Sequence, residues 1–600
     1  MDLQALIQRF IDETGQIKLP PNFTIPALTE MLYGAAAQAG ATDTINIRSW
    51  DYSVDPDGAP RTFTRAEVNT RIKSVAARLQ QIGAPGDRVA ILAGNCPEYI
   101  FGFMGAMYAG QIPVPLYDPT EPGHEGHLRA VLADAEANVV LTNKQGAPAV
   151  RAFFAELPGK ERPRIIAVDA LPDTLAASWV AGQAEGDVDT SDHVSFLQYT
   201  SGSTRNPAGV MLTNESIVSN VIQIYTAAKL QQPMRVPCWL PLHHDMGIII
   251  SMMLIILGSE FELFTPRDFI QQPMRWVERL GRCEGDPEDI HVFTAAPNFA
   301  LELCARVAQH APQDLDLSVL EALVIGSEPV TKTSVDSFID AYEGFNLDRK
   351  AMRPSYGLAE ATLLVSTPQT PERPKFVTLD RDKLTEGVAV EAAEAEDGVA
   401  MASNGQPVPW MRFAVVDPQT HDEVAPGTIG ELWAHGPNIA LGYQDRERDT
   451  ADTFGNTIGA TRQDGLPKDG WLATGDLGTL LDGHLYITGR VKDLIVVAGR
   501  NHYPQDIEAT VMEASEHVRR DSVAAFAVPG EDVEKLVLLV ERADTATPDG
   551  DADAIAAIRS AVTAKHGLAP ADIRFYAPNQ IARSSSGKIA RQVNAKKYQG

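Results

Sequence analysis

From residue 62 onward, apolar positions recur first at helical and then at strand-like spacing. Residues 63–83, FTRAEVNTRIKSVAARLQQIG, place apolar side chains every three to four positions and predict an amphipathic helix stopped by Gly83. Arg88–Leu92 is a short apolar run that predicts a buried strand, and Pro97–Tyr108 predicts the next helix. Residues 139–141 and 165–168 continue the series as two further strands. Such alternation implies parallel sheets covered by helices, the α/β class, and no internal repeat of fixed period breaks it.

The pattern changes after Pro368. Residues 367–403 are rich in charge and alanine, EAAEAED among them, and predict a surface insertion. Residues 410–486 alternate β-rich runs, RFAVVD and GELWAHG, with Gly/Pro/Asp turns, which predicts a small β-barrel or twisted sheet. After residue 488 a stretch of separate αβ pattern begins. We expect two domains, 1–488 and 489–600.

Length and charge narrow the class. Six hundred residues exceed what one core organises. Apolar residues at 44% and charged residues at 22% describe a globular chain, not a disordered one. Fifty-one Lys and Arg against 79 Asp and Glu give a net charge of −28, which argues against a nucleic-acid partner. Cys96, Cys238, Cys283 and Cys304 have neither metal-like nor disulfide-like spacing and suit a reducing compartment. The N-terminus carries charges where an export signal needs an apolar core, and the longest uncharged apolar run, residues 246–258, is too short to cross a bilayer. A cytoplasmic protein without stable membrane insertion is expected.

Residues 199–210, YTSGSTRNPAGV, lie between a strand-like run and a helix-like run that begins after Asn214. Small residues let backbone amides approach an anion, and hydroxyls add neutral donors, so such a loop suits phosphate. The same composition suits a surface linker, and Arg205 is the loop's lone positive charge. Ile325-Gly326-Ser327-Glu328-Pro329 follows an apolar run, the position where open α/β sheets bind ligands. Ser355-Tyr356-Gly357-Leu358-Ala359-Glu360 joins a purine-stacking aromatic to a hard carboxylate suited to Mg²⁺. Asp476 offers a carboxylate for ribose hydroxyls, and Lys588 sits in a hydroxyl-rich SSSGK stretch. His124-Glu125-Gly126-His127 has the wrong spacing for a zinc helix and reads as a loop. His243 and His244, in an extended segment, are expected to point to opposite faces.

In order along the chain, YTSGSTRNPAG, LPLHHDMG, GSEP, SYGLAE, TGD, GRVKDLI and SSSGK resemble the adenylate-forming superfamily from about residue 62 to the C-terminus. LPLHHDMG, AAPNFA, GSEPV, RPSYGLAEAT and GRNHYPQDIE resemble its fatty acyl-AMP ligase branch. DPTEPGHEGHLRAVL and ERPRIIAVDA are similar to the long-chain ligases of mycolic-acid assembly in mycobacteria and corynebacteria. The resemblance implies two packed α/β subdomains plus a small β-barrel, followed by a mobile, smaller α+β domain.

It also implies roles. Thr200, Ser201, Gly202, Ser203 and Thr204 would hold the pyrophosphate end of ATP. Ser327, Glu328, Pro329 and Tyr356 would frame the adenine, Asp476 with Arg490 would hold the ribose, and Gly326, Ser355, Gly357 and Leu358 would also bind the nucleotide. Glu360 would bind Mg²⁺. His244 would sit where the fatty carboxylate meets the α-phosphate, and Lys588 would bridge the two. The acyl chain would run past residues 246–258 and 293–299.

The insertion at 367–403 would restrain the domain rotation that CoA chemistry needs, with Lys492 at the hinge. The acceptor would then be the acyl-carrier domain of a polyketide synthase. A long-chain acyl-CoA synthetase shares most of these motifs, and a non-catalytic nucleotide-binding sensor is the other alternative. Two departures stand out: the phosphate loop lacks a lysine, and Ala582 replaces a proline usual in the last motif.

Overall fold

The computed structural model describes residues 3–20, 23–121, 125–182, 193–200, 207–369, 372–394, 398–497, 500–530, 534–584 and 587–599. The helix expected over 63–83 spans Arg65–Gln80. Its start is fixed by a capping box: the Glu67 amide donates to Thr64 Oγ1, and the Thr64 amide donates to the Glu67 carboxylate. Arg88–Leu92 and Pro97–Tyr108 form as expected. The two helices cross so closely that a Cβ on Gly105 would lie 2.6 Å from Val75.

Two parallel sheets organise the larger part of the chain. The first contains Ile112–Leu116, Arg88–Leu92, Val139–Thr142 and Arg164–Ala167 in that order, all parallel. The second is ordered Met352–Pro354, Leu320–Gly326, His291–Pro297, Met234–Cys238, Glu260–Leu263, Ile45–Asp51 and Ala59–Thr64. Only its last pair is antiparallel.

Register brings the carboxyl ends of three strands level: Pro297 pairs with Gly326, and Ile325 with Pro354. The apolar run after His244 forms the helix Asp245–Leu257, buried on nearly every side. It packs against helices Ile25–Gln38, Pro97–Tyr108 and Asn214–Ala227, which explains a sequence with no polar face.

The expected insertion is folded. Phe376–Asp380 pairs with Gly398–Ala402, with the helix Arg381–Thr385 between them. The β-rich stretch takes the sheet form: Arg412–Val416, Gly430–His435, Leu472–Leu481 and His484–Arg490 in antiparallel sequence. The chain leaves this sheet at the 3₁₀ turn Val491–Asp493. Beyond it, Val518–Val528, Lys535–Arg542 and Asp572–Tyr576 form a three-stranded sheet covered by helices Pro504–Ala514, Asp551–His566 and Arg591–Gln599. Among the described residues, no helix is long and apolar enough to cross a membrane.

Three local expectations are corrected. The strand before residues 199–210 and the helix from Asn214 form as expected, but a second strand lies between them. Val194–Thr200 returns as Ala208–Thr213, with Thr200 opposite Ala208, a short apolar strand that pairs antiparallel before the helix at Asn214. His127 lies on the helix Glu125–Ala135 and not in a loop, since Pro122 and Gly123 precede that helix without interrupting it. His243 and His244 do not diverge. Their rings lie 4.3 Å apart, because this segment turns and alternation applies only to extended backbone.

Candidate active site

Residues 327–329 and 355–360 directly follow the carboxyl ends of two of the second sheet's strands, where parallel α/β sheets leave a crevice. Leu320–Gly326 ends at Ser327, whose φ of +70° is a left-handed conformation uncommon for a side-chain-bearing residue. That turn aims Glu328 back at the neighbouring strand end, where its Oε1 accepts the Phe299 amide at 2.7 Å. Burial raises the Glu328 carboxyl, while the Phe299 amide and the Lys588 charge pull it down.

Ser355 donates to Thr367 Oγ1 at 2.8 Å, and Asn404 donates to its carbonyl at 3.2 Å. Gly357 is held by a very close approach: a Cβ there would stand 1.8 Å from the Leu363 carbonyl oxygen. The turn it permits returns the chain past Leu358 and presents Glu360.

The ribose candidates form a connected set. Tyr356 donates its hydroxyl to Asp476 Oδ2 at 2.6 Å, and Arg490 donates to Asp476 Oδ1 at 3.0 Å. Asp476 and Arg490 are opposite one another in the sheet, so the pair is set by register. Desolvation, then Asp476, raises the Tyr356 phenol, and Asp476 raises the Arg490 guanidinium.

Glu360 is the metal candidate. Its Oε1 accepts the Tyr443 hydroxyl at 2.8 Å; burial raises the carboxyl while that bond lowers it. Among the described residues, no group of three or more His, Cys, Asp or Glu is arranged to hold a metal. A single half-buried carboxylate nevertheless fits Mg²⁺, which is commonly held by one or two carboxylates together with phosphate oxygens and water.

Lys588 comes from the C-terminal part on a tight turn. The Ser584 amide donates to the Lys588 carbonyl at 2.8 Å, and Gly587 adopts φ +80°. The charges acting on its ammonium are Arg490, Asp245, Glu328 and Asp476. Desolvation and Arg490 lower that ammonium, although the side chain keeps contact with solvent. Ala582 has a use for the amide that a proline would lack: it donates to Asn594 Oδ1 at 2.9 Å, and Asn594 donates back to its carbonyl.

His244 precedes the helix Asp245–Leu257, with His243 packed edgewise on Tyr117. Thr200 ends its strand opposite Ala208, while Ser201, Gly202, Ser203 and Thr204 lie outside the described residues.

Sequence reasoning missed Tyr443, and it missed the contact between the insertion and the C-terminal part. Arg381 donates to both carboxylate oxygens of Asp506, at 2.7 and 3.1 Å, and to the Gly398 carbonyl at 3.0 Å. Leu384 and Tyr503 share a buried apolar cluster there. A tyrosine after Gly442 and an arginine in a charged insertion carry no signal of their own.

The model for AMP-binding enzymes matches residues 36–444. The chain belongs to the AMP-binding enzymes. A second model, the AMP domain of Disco-interacting protein 2-like proteins, matches residues 492–600 of this enzyme. The long-chain-fatty-acid–AMP ligase FadD32 of Mycolicibacterium smegmatis is 41% identical over 96% of this chain and 95% of that protein. A structure from studies of fatty acyl-adenylate ligases of E. coli and L. pneumophila superposes with TM-score 0.79 at 28% identity, covering 97% of this chain and 99% of that one. The L. pneumophila ligase in complex with acyl adenylate and pyrophosphate superposes with TM-score 0.70, covering 95% and 96%.

Proposed function

We propose that this AMP-binding enzyme condenses a long-chain fatty acid with ATP to acyl-AMP and pyrophosphate. It then passes the acyl group to the phosphopantetheine thiol of a polyketide synthase acyl-carrier domain, a cytoplasmic step toward mycolic acids. The observation that carries this reading is that Tyr356 and Arg490 both bond Asp476, while Asp476, Glu328 and Asp245 act on the Lys588 charge.

A carboxylate is a weak nucleophile that the triphosphate repels. In the first half-reaction a carboxylate oxygen bonds to the α-phosphorus, and the bond from that phosphorus to pyrophosphate breaks. Catalysis of such transfers is chiefly alignment and charge stabilisation. Asp476, with Arg490 and Tyr356 fixing it, would take the ribose hydroxyls, and Ser327 and Glu328 would border the adenine. Lys588 would place its charge between the carboxylate and the α-phosphate oxygens. Glu360 would hold Mg²⁺, which supplies neutralising charge to the phosphates when bound. In the second half-reaction the thiol sulfur attacks the acyl carbonyl, and AMP leaves with the electrons of the broken acyl–oxygen bond.

The choice of carrier thiol over CoA is supported by the grip of the insertion on the C-terminal part through Arg381 and Asp506. Restraint there opposes the rotation that CoA chemistry needs. The test supplies ATP, fatty acids from medium to very long chain, and either CoA or carrier protein. We expect pyrophosphate and acyl-AMP with long chains, acyl transfer to the carrier, and little acyl-CoA. Abundant acyl-CoA overturns the acceptor, and pyrophosphate release with none of the acids overturns the activation step.

A further inference from the structure

Residues 441–446 form a strap that touches both halves of the phosphate-handling site. It runs antiparallel to Ala208–Thr213, the strand that leaves the phosphate loop. The Met211 amide donates to the Gly442 carbonyl at 2.9 Å, the Leu441 amide to the Met211 carbonyl at 3.0 Å, and the Gln444 amide to the Gly209 carbonyl at 2.8 Å. Val210 and Tyr443 are bridge partners. The loop's outgoing strand therefore has the strap as its second neighbour.

Two side chains of the strap then reach in different directions. Tyr443 donates its hydroxyl to Glu360 at 2.8 Å, while its ring lies edge-on to Phe454 at 5.3 Å. Arg446 pairs with Asp134 and donates to the Pro207 carbonyl at 3.4 Å, the residue at which the loop rejoins its strand. Asp134 in turn accepts the Tyr199 hydroxyl at 2.7 Å, one residue before Thr200. The two ends of the loop are thus tied through one carboxylate.

The Glu360 side is equally constrained. The Ala440 amide donates to the Glu360 carbonyl at 2.9 Å. Thr362 adopts φ +67° and ψ −62°, a strained conformation for a β-branched residue, and its hydroxyl donates to the Asn438 carbonyl at 2.8 Å. Asn438, fully buried, returns a bond to the Ala361 carbonyl at 2.8 Å. Backbone strain persists only where surrounding contacts over-determine it, and here those contacts come from the segment leading into the strap.

We propose that Tyr443 and Arg446 are positioning residues that hold the metal-binding carboxylate and the described ends of the hairpin, Tyr199 and Pro207, at one separation. The proposal rests on the assignment of Glu360 as the metal ligand. Tyr443 selects which carboxylate oxygen remains open to a cation, and Arg446 with Asp134 sets the width of the loop's base. Neither side chain needs to touch the substrate.

The test measures Mn²⁺ affinity of the full-length enzyme with ATP by electron paramagnetic resonance, alongside steady-state kinetics. Tyr443→Phe keeps the ring and removes only the hydroxyl. We expect its Mn²⁺ affinity to fall about tenfold or more, the usual cost of losing a group that orients a metal ligand. Its half-saturating Mg²⁺ should rise in parallel, with KM for the fatty acid within about twofold. Arg446→Met should raise KM for ATP while leaving KM for the fatty acid unchanged, and Arg446→Lys should restore part of the loss. Unchanged Mn²⁺ affinity in Tyr443→Phe, where Glu360→Gln abolishes it, overturns the strap and leaves the site assignment standing. Unchanged affinity in Glu360→Gln overturns the metal assignment and the strap's role with it.

Discussion

Asp476 and Lys588, which the proposed function assigns to one site, are held by opposite means. Asp476 is 7% exposed, lies within a four-stranded sheet, faces Arg490 by register and accepts the Tyr356 hydroxyl. Lys588 is exposed on a short turn of the C-terminal part, and the charges that act on it belong to residues before the hinge. One group is fixed by local pairing before any ligand arrives. The other depends on where a whole domain rests. Under the proposed function, the difference is a division of labour: nucleotide recognition would be built into the larger part, and the group that assists bond exchange would arrive with the smaller one. Closure of this kind also keeps water from a hydrolysable mixed anhydride.

Removing the delivered charge tests that division most severely. Lys588→Ala should lower acyl-AMP formation by about 10²–10³-fold, the scale seen when one transition-state donor is removed. ATP binding, measured by calorimetry, should persist, and near-normal adenylation in this variant would dismantle the assignment.

The fixed side should respond in binding. Asp476→Asn takes away the charge that pairs with Arg490 and orients Tyr356. Charge-assisted hydrogen bonds contribute roughly 1.5–3 kcal/mol, so ATP affinity should weaken about ten- to a hundredfold. A pure kcat effect with wild-type affinity would mean that Asp476 belongs with Lys588 and not with the nucleotide platform.

The smallest effect concerns the tether. Arg381 and Asp506 are partly buried and joined by two hydrogen bonds, and the Arg381→Ala change leaves the catalytic groups intact. We expect acyl-AMP formation within about twofold of wild type, faster proteolysis near Val491–Asp493, and a measurable rise in acyl-CoA when CoA is supplied. Unaltered cleavage together with unaltered acceptor choice would show that the insertion does not restrain the smaller part.

Much of this was legible in the residues. Hydrophobic spacing placed Arg88–Leu92 and Pro97–Tyr108 where they form, because helix and strand periodicities express local burial on one face. The motifs GSEP and SYGLAE fell at strand ends because turns there need small or left-handed residues. The second strand of the phosphate hairpin was hidden, since AGVMLT reads as the end of a loop until its partner is known. The side-by-side rings of His243 and His244 were hidden for a related reason: a turn follows no period.

The chain itself determined the α/β class, the membership in the AMP-binding enzymes, and which side chains carry charge and hydroxyl chemistry. Those properties follow from short-range periodicity and from motifs whose members are close in sequence. Only the tertiary structure decided that Tyr443 meets Glu360 across 83 residues, Arg446 meets Asp134 across 312, and Arg381 meets Asp506 across 125. Each of these pairs is made by sheet register or domain docking. The energy that brings them together comes from apolar burial elsewhere in the fold, and no local pattern records which polar groups it will make neighbours.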